Sequence, residues 1–174
     1  GGNAQKFTDW ATAAWRVNTV WLPNLYDLGE TVAHQRRPWS GRALRVGLFG
    51  ANRPWKNHLS GAAAAVELAA RLRVPTELVV SSGRDESPGA GGQALVALTE
   101  NIPDVKVTPT GWLSWPAFRQ LMRTVDLVFQ VSYTEAFNTV AADAIAEGVP
   151  VVGSEAIEWL PRWWQARIDE PRDA

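Results

Sequence analysis

Apolar residues along the middle of the chain fall into two alternating patterns, short dense runs and longer stretches with helical spacing. Ala43 to Phe49 has the apolar density of a strand buried on both faces, and Leu59 to Leu72 is an alanine-rich helix with leucine and valine on one side. The alternation continues with a strand at Thr76 to Ser81, a glycine-rich loop through Gly92, a helix at Gln93 to Glu100, a strand at Val105 to Thr108 and a helix at Trp115 to Arg123. Asp126 to Val131 then reads as a strand, Asn138 to Glu147 as a helix and Val149 to Gly153 as a strand. Such alternation predicts an α/β fold, a Rossmann-like parallel sheet flanked by helices. Ligands of these sheets bind beyond the carboxyl ends of the strands, so the loops after Phe49, Ser81, Thr108, Val131 and Gly153 are where a site is expected.

The first forty residues read differently. Phe7 to Arg16 predicts a short helix, capped by Thr8 or Asp9, with Trp10, Ala13, Ala14 and Val17 on one apolar face. Val17 to Leu22 predicts a strand that must pair with the sheet or with a partner chain, because an orphan strand leaves its backbone groups unpaired. From Pro23 to Arg42 the pattern breaks up around Arg36-Arg37, Pro38 and Gly41, as in a linker. The chain therefore divides into 1–42 (helix, strand and linker), 43–160 (the regular domain) and a short tail, 161–174.

Composition narrows the function. With 17 basic and 18 acidic side chains the formal charge is −1, so no general field attracts nucleic acid, and any anion must be bound locally. The absence of cysteine excludes disulfides and thiolate metal sites, and the separated His34 and His58 make poor zinc ligands; both read as structural or solvated. The lack of cysteine fits a reducing cytoplasm, and with no apolar run that spans a bilayer and no signal peptide evident the expectation is a soluble, cytoplasmic protein, with a membrane-peripheral place for a complete enzyme left open. The ten tryptophans crowd towards the two ends; core packing accounts for most of them, and the terminal ones are candidates to cover a second domain.

Two loops carry candidate chemistry. Gly50-Ala51-Asn52-Arg53-Pro54-Trp55-Lys56-Asn57 puts two cations and a glycine after the first strand of the domain, where Arg53 can hold phosphate oxygens bidentately and Lys56 can add a point charge. Arg-x-x-Lys is by itself a weak pattern, and a solvated basic turn is the plain alternative; a Gly-x-Gly-x-x-Gly fingerprint is absent. The second loop, Tyr133 to Asn138, leads into a helix whose first amides suit an anion. Thr139, Asp143 and Glu147 form a polar stripe on that helix, with Glu135 at its mouth, and taken alone a solvated face with an acidic flank is the plainer account of them. Arg84, Asp85 and Glu86 lie on a third loop that a solvated turn explains as well.

Arg53-Pro-Trp-Lys56-Asn57 after a strand, Gly111-Trp-Leu-Ser before a helix, Glu135-Ala-Phe-Asn followed by Asp143, and Gly148-Val-Pro-Val-Val-Gly-Ser occur in an order and spacing that resembles the donor-binding, C-terminal domain of retaining glycosyltransferases with the B-type two-Rossmann fold, the group 1 type. Val20-Trp-Leu-Pro23-Asn24-Leu-Tyr-Asp27 is similar to that family's Pro-Asn-x-x-Asp segment, which closes its amino-terminal domain. The resemblance covers residues 17 to 160 and implies one half of a two-domain enzyme that binds a nucleoside diphosphate sugar and transfers the sugar to an acceptor hydroxyl with retention.

Carried to matching positions, the resemblance implies that Arg53 and Lys56 neutralise the diphosphate, that Glu135 meets the transferred sugar, and that Asp143 meets the ribose. The amides of Phe137, Asn138, Thr139 and Val140 would hold phosphate oxygens, Gly50 would sit in the phosphate turn, and Gly111 and Trp112 would border the base. No metal ion or cofactor is expected beyond the donor substrate itself. Asp143 is one methylene shorter than the family's glutamate, which leaves its ribose contact open. Partners implied are the nucleotide sugar, an acceptor of unknown identity and a missing amino-terminal domain or second chain, with no nucleic acid. A nucleotide-sugar epimerase relative, or a non-catalytic nucleotide-binding or tryptophan-rich interaction module, remain the alternatives.

Overall fold

The computed structural model describes residues 2, 4–27, 39–84 and 91–168. His34, Arg36, Arg37, Pro38, Asp85, Glu86 and the end of the tail lie outside the described residues. The elements run α1 (Gln5–Trp15), β1 (Leu44–Leu48), a 3-10 turn (Pro54–Lys56), α2 (His58–Leu72), β2 (Thr76–Val80), α3 (Gly91–Thr99), β3 (Val105–Pro109), α4 (Trp115–Met122), β4 (Leu127–Gln130), α5 (Thr139–Ala146), β5 (Val151–Ser154), a second 3-10 turn (Arg162–Trp164) and β6 (Gln165–Ala166). The strands form one parallel sheet in the order β3-β2-β1-β4-β5-β6. The alternation expected from Ala43 onward is thus present, with β6 an addition that the sequence pattern, two residues long there, does not announce.

Strand residues alternate between two cores. Val46, Leu48, Leu78 and Phe129 pack with Ala62, Ala65 and Leu95 of α2 and α3 on one face, while Val79, Val128 and Val151 pack with Met122, Ala141 and Ala144 of α4 and α5 on the other. α2 lies close to the sheet because Gly61 has no side chain: a Cβ there would stand 2.9 Å from Leu48 Cδ2. Small residues therefore fill the helix–sheet gap, and an indole has no room in it. All ten tryptophans are correspondingly exposed, from 37% at Trp39 and Trp164 to 82% at Trp163, which overturns the expectation of core packing.

The amino-terminal segment departs most from expectation. α1 begins after Ala4 with no side-chain cap; Thr8 is buried and donates to the Ala4 carbonyl at 2.8 Å instead of capping from outside. The stripe through Trp10, Ala13, Ala14 and Val17 is exposed, and Thr8 and Ala11 face inward. Val17 to Leu22 is not a sheet strand. Among the described residues it makes a single parallel bridge, Gly2 to Trp21, through Gly2 N–H to the Val20 carbonyl at 3.1 Å and Leu22 N–H to the Gly2 carbonyl at 2.8 Å. Apolar β-branched residues favour extended backbone, but a strand requires a neighbour with unpaired edge groups.

Chain direction across the sheet reverses between β1, which leads outward to β2 and β3, and β4, which starts the other side. The crevice at the carboxyl ends of β1 and β4 is where open sheets of this topology bind ligands. Both candidate loops open onto it.

Candidate functional site

Gly50, two residues past β1, has φ of 114°, a conformation that only glycine adopts without strain, and its N–H reaches Ser81 Oγ at 3.3 Å. The chain then extends through Arg53 and closes a 3-10 turn with proline at its start. Arg53 lies with its guanidinium 5.8 Å from the centre of the Trp55 ring. Asn57 follows in the left-handed region at φ 54° and donates to the Val131 carbonyl at 3.1 Å, while Tyr133 N–H donates to the Trp55 carbonyl at 2.8 Å. These bonds fasten the basic loop to the loop after β4.

Across the crevice Glu135 is held by three donors. Lys56 Nζ forms an ion pair with its Oε1, Ser132 Oγ donates to the same oxygen at 2.8 Å, and Asn138 Nδ2 at 3.0 Å. Oε2 lies outside that set. Asn138, at φ 62°, also donates to Gln130 Oε1 at 3.1 Å and accepts from Ala141 N–H at 2.9 Å as the N-cap of α5. The cap occupies the amide of Ala141 and leaves those of Thr139 and Val140 outside it, at the positive end of the helix. The sequence pointed to Lys56 as a phosphate cation and to Glu135 as a sugar contact; the structure makes them one pair.

Two cavities meet here. One, of about 550 Å³, takes in Arg53, Lys56, Glu135, Asn138 and the amino-terminal residues Asn24 to Tyr26. The other, of about 510 Å³, is bordered by Gly111, Trp112, Leu113, Trp115, Phe118 and Asp143. Gly111 N–H donates to Ser82 Oγ at 2.9 Å, and the Arg84 guanidinium lies 5.2 Å from the centre of the Trp112 ring. A larger cavity, of about 660 Å³, lies between α3 and β3 and includes no residue of α5 or of the Glu135 loop. It is lined by Arg84, Lys106 and Glu100 but by none of Arg53, Lys56 and Glu135, so size alone does not mark the site. Among the described residues no three His, Asp or Glu side chains cluster to hold a metal ion.

The polar stripe of α5 is solvated only at its start, where Thr139 is exposed. Asp143 and Glu147 are 2% and 3% exposed. Asp143 Oδ1 accepts from the Tyr26 hydroxyl and from Trp115 Nε1, the latter at 2.9 Å. Glu147 accepts from Arg119 of α4 and from Arg123 just past its end; burial alone would raise its pKa, but these two hydrogen bonds and charges hold it below the usual carboxylate range. α4 thus covers Asp143 and Glu147, and the guanidinium of Arg119 also lies 5.0 Å from the centre of the Trp115 ring. Burial lowers the His58 imidazole to about 4, against a contribution from the Phe49 backbone and with Lys56 adding to it, so His58 is neutral at physiological pH.

Of the expected site residues, Gly50, Arg53, Lys56, Glu135, Phe137, Asn138, Thr139 and Val140 line one cavity and Gly111, Trp112 and Asp143 the other. Ser132, Tyr26 and Trp115 were not anticipated. A Ser-x-x-Glu spacing from Ser132 to Glu135 was available as a signal. Tyr26 gives no local signal, since it meets Asp143 across 117 residues.

The sequence pattern of the Family 4 Glycosyltransferase in conflict systems matches residues 8–157. No curated protein matches the chain. Among solved structures, sucrose-phosphate synthase from Thermosynechococcus elongatus is similar with a TM-score of 0.72 and 18% identity over 98% of this chain and 45% of that one. The C-terminal domain of the glycosyl transferase group 1 family protein LpcC from Francisella tularensis follows at 0.59 and 15%, over 75% and 71% of the two chains. The pneumococcal O-GlcNAc transferase GtfA, solved with UDP and GlcNAc, gives 0.59 and 13% over 88% of this chain and 29% of its own. At such identities the likeness establishes the fold, and this chain spans less than half of the synthase and of GtfA.

Proposed function

The chain belongs to the Family 4 glycosyltransferases of conflict systems, and from that premise we propose that its β1/β4 crevice binds a nucleoside diphosphate sugar and supports transfer of the sugar to an acceptor hydroxyl with retention. The observation that carries this reading is the convergence of Arg53, the Lys56–Glu135 pair and the start of α5 on one cavity. A departing diphosphate gathers negative charge, and prearranged cations and helix amides stabilise it without reorganising. Lys56 serves twice in this reading, offering charge to the leaving phosphate and holding Glu135 Oε1, so that Oε2 can meet a sugar hydroxyl. Neutralisation is assigned to these groups, with no resident metal ion or cofactor.

The second cavity suits the base, with Trp112 and Trp115 along it and the Gly111 backbone at its border. Catalysis needs a further wall that positions the acceptor and excludes water. The aromatic rim of Tyr26, Phe137 and Trp159, with Phe137 and Trp159 stacked 5.4 Å apart, offers a surface for an amino-terminal lobe or second chain to supply it. A cytoplasmic setting belongs to the same proposal; no described helix is long and apolar enough to cross a membrane.

Calorimetric titration with UDP, GDP and ADP tests the reading. One nucleotide is expected to bind saturably, and Arg53→Ala and Lys56→Ala are each expected to weaken it about tenfold or more, the scale of a charge-assisted hydrogen bond. Binding unchanged in both variants would put the diphosphate elsewhere. With a donor sugar, release of free nucleoside diphosphate marks a transferase, altered sugar stereochemistry an epimerase, and neither a binding module.

A further inference from the structure

The two cavities share Gly50, Arg84, Trp112, Thr139 and Val140. On the donor reading above, a nucleotide with its phosphates beside Arg53 and the start of α5 and its base beside Trp112 must pass its ribose through that shared wall. Two side chains link the cavities, one from each: Asp143 borders the base cavity, Tyr26 borders the phosphate cavity, and the Tyr26 hydroxyl bonds to Asp143 Oδ1. Asp143 is 2% exposed, and the same oxygen also accepts from Trp115 Nε1 at 2.9 Å, so this short carboxylate is committed to partners within the protein.

The phenol is differently placed. Donating its one proton to Asp143 leaves its oxygen able to accept. The Phe137 ring, 6.1 Å away, steadies it from the side of α5. We propose that Tyr26 is the ribose-reading residue of the donor site, its hydroxyl oxygen accepting from a ribose hydroxyl while Asp143 and Trp115 position it. Burial, reinforced by the bond to Asp143, raises the Tyr26 pKa, which keeps the phenol protonated and its direction of donation fixed. The pair thereby makes the amino-terminal segment part of the donor pocket.

The experiment compares UDP, GDP and ADP with their 2′-deoxy and 3′-deoxy forms on the full chain and on Tyr26→Phe, which removes a single oxygen atom; thermal melting confirms that both are folded. The chain is expected to prefer the ribonucleotide over one deoxy form by about tenfold, the scale of one net hydrogen bond. Tyr26→Phe should bind the ribonucleotide as weakly as the chain binds that deoxy form, with deoxy affinity unchanged. Equal weakening of both, or binding as tight as or tighter than that of the unaltered chain, overturns the assignment, the tighter case marking Tyr26 as an obstruction. Nucleotide binding without any ribose discrimination sinks the role of Tyr26 alone, whereas no binding of any nucleotide sinks the donor reading and this inference with it.

Discussion

Glu135 in front of α5 and Glu147 behind it are each held by cations, yet their settings differ. Lys56 and Glu135 keep 17% and 10% of their side-chain surface at a cavity wall, while Glu147 keeps 1% beneath α4. At the front the carboxylate is gripped on one oxygen by Lys56, Ser132 and Asn138. At the back Arg119 takes one oxygen and Arg123 the other. A charge held on one side at a cavity can serve a ligand, whereas a charge engaged on both oxygens under a helix serves the fold.

Breaking the rear clamp should have the largest effect. Glu147→Ala leaves two guanidinium groups without their shared partner, Arg119 being only 12% exposed, and is expected to cost about 3–5 kcal/mol in urea unfolding. A loss under 1 kcal/mol would show that α4 reseats its arginines in solvent and that the contrast is overstated. The front responds in function. Glu135→Gln keeps an acceptor for Ser132 and Asn138, so stability should fall by about 1 kcal/mol, while sugar transfer by a complete enzyme should fall about a hundredfold. Turnover that survives this change removes Glu135 from the reaction.

A pH-dependent effect concerns His58, the first residue of α2, beside Lys56. Its folded pKa of about 4 lies below the ordinary 6.5, so between these values the unfolded chain binds the extra proton and stability falls as pH falls. The stability contributed above pH 6.5 is on the order of 3 kcal/mol, lost progressively down to pH 4. Urea unfolding at intervals across that range should show a slope that His58→Gln flattens. Glu77, lowered chiefly by its hydrogen bond from Thr108, and Glu147 lose their contributions at lower pH, as their carboxylates protonate, which separates them from the histidine.

Legibility along the chain followed burial. β1, β2 and β4 were readable because strands covered on both faces are continuous apolar runs, and α2 because Ala62, Ala65 and Ala69 recur on the face that meets the sheet. Arg53, Lys56 and Glu135 fall on loops that line one cavity, since strand-to-helix turns at one sheet edge follow from the alternation. The same reasoning misjudged Val17 to Leu22 and the tryptophans. Apolar character says that a side chain gains by leaving water, but a seat inside exists only where the packed elements leave space.

The sequence by itself determined the order of strands and helices, the parallel sheet and the pair of loops that form the crevice, because helical and strand periodicities are local properties of the chain. Only the tertiary structure decided that Lys56 grips Glu135, that Asp143 and Glu147 are sealed under α4, and that Tyr26 arrives from 117 residues away to meet Asp143. Those contacts depend on how the sheet reverses direction between β1 and β4 and on which surfaces then face one another, which no local spacing encodes.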